Sequence, residues 1–293
     1  MHPAFSVIFL TTLIGAGQGL FLALFTSQVY YAVGLLPQME SGAFYSYGSA
    51  LALLLLMVGL FASFFHLGHP ERAWRSAARW RTSWLSREVI ALPAFMVTVT
   101  LWGGLHYFGV NPTLMQLGGR LTVDLTLLVG AVATGLAFLL FVCTGMIYAA
   151  IRFLQEWASP LTVINFTLLG GASGFTIATA WAARSGSSLT GLYASWAVVL
   201  TLLALIFRLA ALWRNARLKQ KSTVQSAIGV RHPEIAQQAQ GAMGDSFNTR
   251  EFFHHRSAGL LQAVRWFFLV FVFVLPLVLL AVGASPASFG LLA

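Results

Sequence analysis

The sequence predicts an all-α integral membrane protein, a bundle of about seven transmembrane helices (eight as the upper count) with one long cytoplasmic loop. Three observations predict it. Of 293 residues, 58% are hydrophobic and only 9% charged, with a mean hydropathy of +0.79; a soluble domain carries roughly 25% charged residues. The apolar residues fall into seven runs of the ~20 residues needed to cross a bilayer. The basic residues are distributed to one side of those runs. No long polar linker divides the chain, so residues 1–293 read as a single bundle.

The first span is expected over about Ala4 to Val33. It lacks a basic n-region and a small-residue cleavage site, so it reads as a retained span. Gly15 and Gly19 lie four apart on one face, a spacing that permits close helix approach in lipid. Gln18 beside them has two readings, an interhelical hydrogen bond or a ligand contact. The second span runs from about Phe44 to Phe65. Residues 67–86 then form an interfacial connection in which Arg72, Arg75, Arg79 and Arg81 alternate with Trp74, Trp80 and Trp84. That mixture suits a helix lying at the membrane–water boundary, in contact with lipid headgroups.

The third span runs from about Glu88 to Phe108, with Ser86 as its expected cap. After Asn111-Pro112 and a connection holding Arg120 and Asp124, the fourth runs from about Leu125 to Ala149. The fifth covers about Leu161 to Ala183 and carries Gly170, Gly171 and Gly174, again spaced for tight packing. The sixth covers about Leu189 to Trp213, and the seventh about Leu260 to Val282. Between them lies the one long polar segment, residues 214–258, read as a basic loop that docks a partner subunit.

Seven spans assign each connection to a side. The side with the N-terminus holds 15 of the 17 basic residues, and only Arg120 and Arg184 lie opposite. Such an excess marks the cytoplasmic side of a bacterial inner membrane. The net charge of +9 therefore reports orientation and gives no sign of a nucleic-acid partner. Cys143 is the single cysteine, which excludes an intrachain disulfide and a metal or Fe–S centre built on this chain's own thiolates.

Chemistry concentrates around residues 64–75 and 86–88. His66 ends the second span at the boundary where a quinone headgroup would sit with its tail in lipid. Quinone chemistry moves two electrons and two protons, and needs a partner for each carbonyl and a titratable group. Histidine suits that exchange near neutral pH, and a carboxylate at the membrane boundary can act as a relay. Glu88 is such a carboxylate, though a Glu in a first helical turn is also favoured by the helix dipole. Arg87 could pair with a local acid. A haem b is the competing use of membrane histidines. It would pair His66 with His254 or His255, since His106 lies at the opposite face. The run Phe252-Phe253-His254-His255-Arg256 otherwise caps the last span or touches a partner.

Phe65-His66-Leu67-Gly68-His69-Pro70-Glu71-Arg72-Ala73-Trp74, followed by Trp84-Leu85-Ser86-Arg87-Glu88-Val89, resembles the membrane anchor subunits of the dimethyl sulfoxide reductase family. The match is specific over about residues 60–95. The resemblance implies an anchor for a molybdopterin catalytic subunit and an Fe–S electron-transfer subunit, exchanging electrons with the quinone pool. It places a noncovalently held quinone (ubiquinone or menaquinone) at His66 and Glu88, with Gly68, Arg72 and Arg87 beside it. Partner docking would fall on Arg75, Arg79, Arg81, Phe247, Asn248, Arg250, Phe253, His254 and His255.

Two features depart from the reductase pattern, which has eight spans and a periplasmic catalytic partner. Here seven spans are counted and the site falls on the cytoplasmic face. In this the chain is more similar to the anchors of quinone-linked sulfite-oxidising enzymes, also through Met1-His2-Pro3-Ala4-Phe5 and Ser246-Phe247-Asn248-Thr249-Arg250-Glu251-Phe252-Phe253. The alternatives are an anchor for a reductase fed by menaquinol, a haem b subunit, and a solute transporter. The last would be expected to show paired broken helices or an inverted repeat, and neither is evident.

Overall fold

The computed structural model describes residues 5–117, 121–152, 154–219, 224–232, 234 and 257–283. Among the described residues, seven helices are long and apolar enough to cross a membrane. They are α1 (Phe5–Ala32), α2 (Gly42–Ser63, continued by a 3-10 turn at Phe64–His66), α3 (Trp84–Phe108), α4 (Leu125–Ala149), α5 (Pro160–Arg184), α6 (Thr190–Ala216) and a seventh, composite span. A short helix α7 (Val224–Ile228) precedes that span, which consists of α8 (Ala258–Leu269), a π-helical stretch (Val270–Val274) and α9 (Leu275–Gly283). The wide turn has a local cause. Pro276 has no N–H for the Val272 carbonyl, and the Leu275 N–H reaches back to Val270 instead.

Large apolar side chains cover the outside of the bundle at mid-helix, among them Leu54, Val97, Phe138 and Ile206. In water such a surface would be an aggregation site; in lipid it meets its own kind. Inside, α1 is the central helix, packed on α2, α5 and α4, while α5 packs on α6 and α3 on α2 and α4. The two glycine patterns meet each other. A methyl on Gly19 would run into the Gly170 carbonyl, and one on Gly174 into the Gly19 backbone, so α1 and α5 approach backbone to backbone. Phe21 of α1 meets Phe95 and Trp102 of α3 edge to face, at 5.6 and 5.4 Å between centroids.

Two local expectations change. The cap of α3 is Ser83 and not Ser86: Ser83 is extended and its hydroxyl accepts from the Ser86 N–H at 3.4 Å. The helix therefore begins at Trp84, and Ser86 is buried within its first turn. The connection before α4 contains an antiparallel hairpin, β1 (Thr113–Leu117) with β2 (Leu121–Asp124), which the apolar pattern does not predict. The interfacial connection is a 3-10 helix over Pro70–Arg79, opened by proline at its first position. Phe247, Asn248, Arg250, Phe253, His254 and His255 lie outside the described residues.

Candidate functional site

A cavity of about 770 Å³ lies at the arginine-rich end of the bundle, between α1, α4, α5, α6 and Phe268 of α8. Pockets of this size, ~300–1,000 Å³, are those that take drug-sized ligands. Its outer rim carries Glu156, Trp157, Arg214 and Asn215, and its floor reaches Gln18 and Ser173. The walls between are mostly apolar.

Glu88 is the one acidic residue of α3, and it lines this cavity. Because α3 starts at Trp84, Glu88 is the fifth helical residue, past the first turn where the helix dipole favours an acid. Thr144 of α4 donates to Glu88 Oε1 at 2.5 Å. Among the described residues, Oε2 takes no hydrogen bond and no cation pairs with the carboxylate. A half-buried acid with one oriented oxygen and one open one, facing an apolar cavity, can exchange a proton with whatever occupies it.

The other predicted residues sit differently. His66 ends the 3-10 turn after α2, is exposed and does not line the cavity. His69 and Arg72 both turn to Glu71, at 3.1 and 3.6 Å, on the exposed connection. Gly68 faces open space. Arg87 pairs with no acid among the described residues. Its Nε and Nη2 donate to the Trp80 and Arg81 carbonyls at 2.9 and 2.8 Å, and its guanidinium lies 4.2 Å from the Trp84 ring centroid. It clasps the interfacial connection to the start of α3. Arg75 and Arg81 lie over the rings of Trp74 and Trp80, at 5.5 and 5.3 Å. Arg79, near the end of the same 3-10 helix, is exposed. Gln18 makes the interhelical hydrogen bond, its amide donating to the Ala137 carbonyl at 2.8 Å, and it also lines the cavity floor.

The cavity also gathers residues that the sequence does not single out for a site: Thr144, Tyr148, Asn165 and Arg208. In the sequence Arg208 enters only the count of basic residues on the N-terminal side, although it lies inside the expected sixth span. Its distance from the end of that span is the available signal.

The family model for "DMSO reductase anchor subunit (DmsC)" matches residues 1–292. The chain belongs to that family. As a DmsC-family protein it is a multi-pass membrane anchor of the kind that serves an oxidoreductase complex. It is 60% identical over 283 residues to a sulfite dehydrogenase subunit of Allochromatium vinosum, covering 97% of this chain and 87% of that protein. No solved structure matches it.

Proposed function

We propose that this DmsC-family chain is the quinone-reactive anchor of a molybdopterin/Fe–S complex that oxidises sulfite at the cytoplasmic face of a bacterial inner membrane. Its N-terminus is cytoplasmic, and the quinone headgroup enters the cavity beside Glu88. The cavity lined by Glu88 is the observation that carries this reading. The likeness to a sulfite dehydrogenase subunit supports the direction of electron flow.

The stoichiometry is simple. Sulfite and water give sulfate, two protons and two electrons at the catalytic partner. The Fe–S partner passes the electrons on, and quinone takes both together with two protons from the cytoplasm to become quinol. This chain's own residues handle the protons. Glu88, held by the Thr144 hydroxyl, delivers them at the cavity wall and is recharged from water. His66, exposed at the boundary, exchanges protons with bulk water outside that wall. The aromatic and arginine-rich 3-10 helix over Pro70–Arg79 and the 214–258 loop form the face for the Fe–S subunit.

Purified complex carrying Glu88→Gln tests this. Loss of quinone-linked sulfite oxidation by at least ~100-fold, the scale of a lost proton-transfer group, is expected, with sulfite oxidation by a soluble artificial acceptor retained. Full quinone-linked turnover in a correctly assembled complex would overturn it. The family's reductase branch would instead give quinol-linked reduction of a sulfoxide and no sulfite oxidation.

A further inference from the structure

Two residues that line the cavity carry polar atoms that the bundle itself leaves unsatisfied. Asn165 on α5 is 7% exposed. Its amide nitrogen donates to the Leu161 carbonyl at 2.7 Å and, across to α6, to the Phe207 carbonyl at 3.4 Å. Both of those partners are acceptors, which fixes the amide orientation and leaves Oδ1 as the atom without a partner. Arg208 on α6 lies eight residues before that helix ends at Ala216, about 12 Å inward at about 1.5 Å per residue. Its Nε is buried and unpaired. Its guanidinium lies 5.0 Å from the Phe268 ring centroid, and no carboxylate pairs with it among the described residues.

Neither feature is explained by packing. An amide that served only to join α5 to α6 would be matched by its two carbonyls, with its oxygen turned to a donor or to water. An arginine needed only for orientation would sit at the helix end, as Arg214 does, where its guanidinium donates to the Gln155 carbonyl at 3.1 Å. Ionisable residues inside a span are costly and face an interior or a substrate path. Here the residues that carry the unpaired acceptor and the unpaired donor line the same cavity as Glu88, with the two atoms themselves buried beneath its wall, where a side-chain turn would bring them to the cavity.

We propose that Asn165 and Arg208 are the headgroup-binding residues of this cavity for a quinone, building on the quinone reading above. Arg208 Nε–H donates to a carbonyl oxygen of the oxidised ring. Asn165 Oδ1 accepts from an O–H of the reduced ring. The pair thereby holds both redox forms, one through each unpaired atom, while Glu88 serves as the proton donor. The apolar side chains of Ile8, Leu212 and Phe268 take the start of the isoprenoid tail.

The test uses the full chain purified from its native membrane with its accompanying subunits. Wild type, Arg208→Gln, Arg208→Lys, Asn165→Leu and Glu88→Gln are compared for bound quinone, bound anionic phospholipid, KM for a short-tailed quinone, and turnover with a soluble acceptor that bypasses the membrane. Arg208→Gln and Asn165→Leu are expected to lose bound quinone and to raise KM about tenfold, with bypass turnover unchanged. Arg208→Lys should recover part of the loss, because it keeps the charge but not the planar donor. Unchanged KM and bound quinone in both variants, with Glu88→Gln still inactive, would overturn this assignment and leave the quinone reading standing. If Glu88→Gln is fully active as well, the quinone reading itself fails. Loss of phospholipid with quinone retained would make Arg208 a lipid site and also overturn the proposal. Should Arg208→Gln fail to assemble, as loss of bypass turnover would reveal, Arg208→Lys and Asn165→Leu decide by the same readings.

Discussion

The two ends of the bundle treat buried polar groups in opposite ways. At the end away from the arginines most of them are tied to one another. Gln28 accepts from Trp102 Nε1 at 3.0 Å and donates to Thr126 Oγ1, which donates to Asp124 at 2.9 Å. Asp124 in turn accepts from Asn111 Nδ2 at 2.8 Å and from the Leu127 N–H at 2.7 Å, capping α4. Ser27 links the hydroxyls of Tyr45 and Tyr193, at 3.3 and 2.8 Å. His106 Nε2 and Trp181 Nε1 are unpaired there, but the first ring is packed against Tyr45 and Trp102, the second lies beside Phe44, and neither lines the cavity. At the arginine-rich end, Asn165 Oδ1, Arg208 Nε and Glu88 Oε2 go without partners among the described residues, around a cavity. A closed network rigidifies a bundle, whereas open polar groups around an apolar space wait for a ligand.

This contrast can be broken by experiment. The largest effect is expected from Glu88→Gln on quinone-linked turnover, with thermal stability of the complex unchanged. His66→Ala should cost about tenfold in the same assay, less than a proton-transfer group in the wall, since water can replace a surface exchanger. If His66→Ala is as damaging as Glu88→Gln, the headgroup lies nearer α2 than the cavity does. Gln28→Leu should do the reverse of Glu88→Gln. It strands Trp102 Nε1, while Thr126 keeps its bond to Asp124, and is expected to lower stability by about 1–3 kcal/mol in a melting assay while leaving quinone KM alone. A shifted KM would mean that the far end also contacts the substrate. The smallest effect belongs to Gly68→Ala. A methyl there meets nothing within 4 Å, so stability should stay within about 0.5 kcal/mol and KM should not move. A raised KM would bring Gly68 back to the site.

The seven spans are legible in the sequence because lipid leaves the backbone so few choices: ~20 apolar residues closed into a helix. The glycine spacings on α1 and α5 are legible for the same reason, as small faces with nothing else to do. Glu88 is legible as an acid at a span boundary beside a recognisable motif. Rotation about the helix axes is not. Whether Asn165 reaches Phe207, or whether Arg208 turns to the cavity, depends on how α5 and α6 pack, a contact between residues some forty apart in sequence. The β1–β2 hairpin escapes a sequence reading because its two strands, of five and four residues, are too short to stand out in a connection between two long apolar runs. Ser83 is hidden as the α3 cap because Ser86, nearer the apolar run, offers the same chemistry.

The most direct test of the central claim is to label native membranes with a photoreactive quinone analogue and map the modified peptides of this chain. Labels on the cavity walls, in α4 and α5 near residues 141–170 and in α6 near 208–215, are the predicted result. Labels confined to the Tyr45–Tyr193 end, or to the exposed connection at residues 67–86, would contradict it.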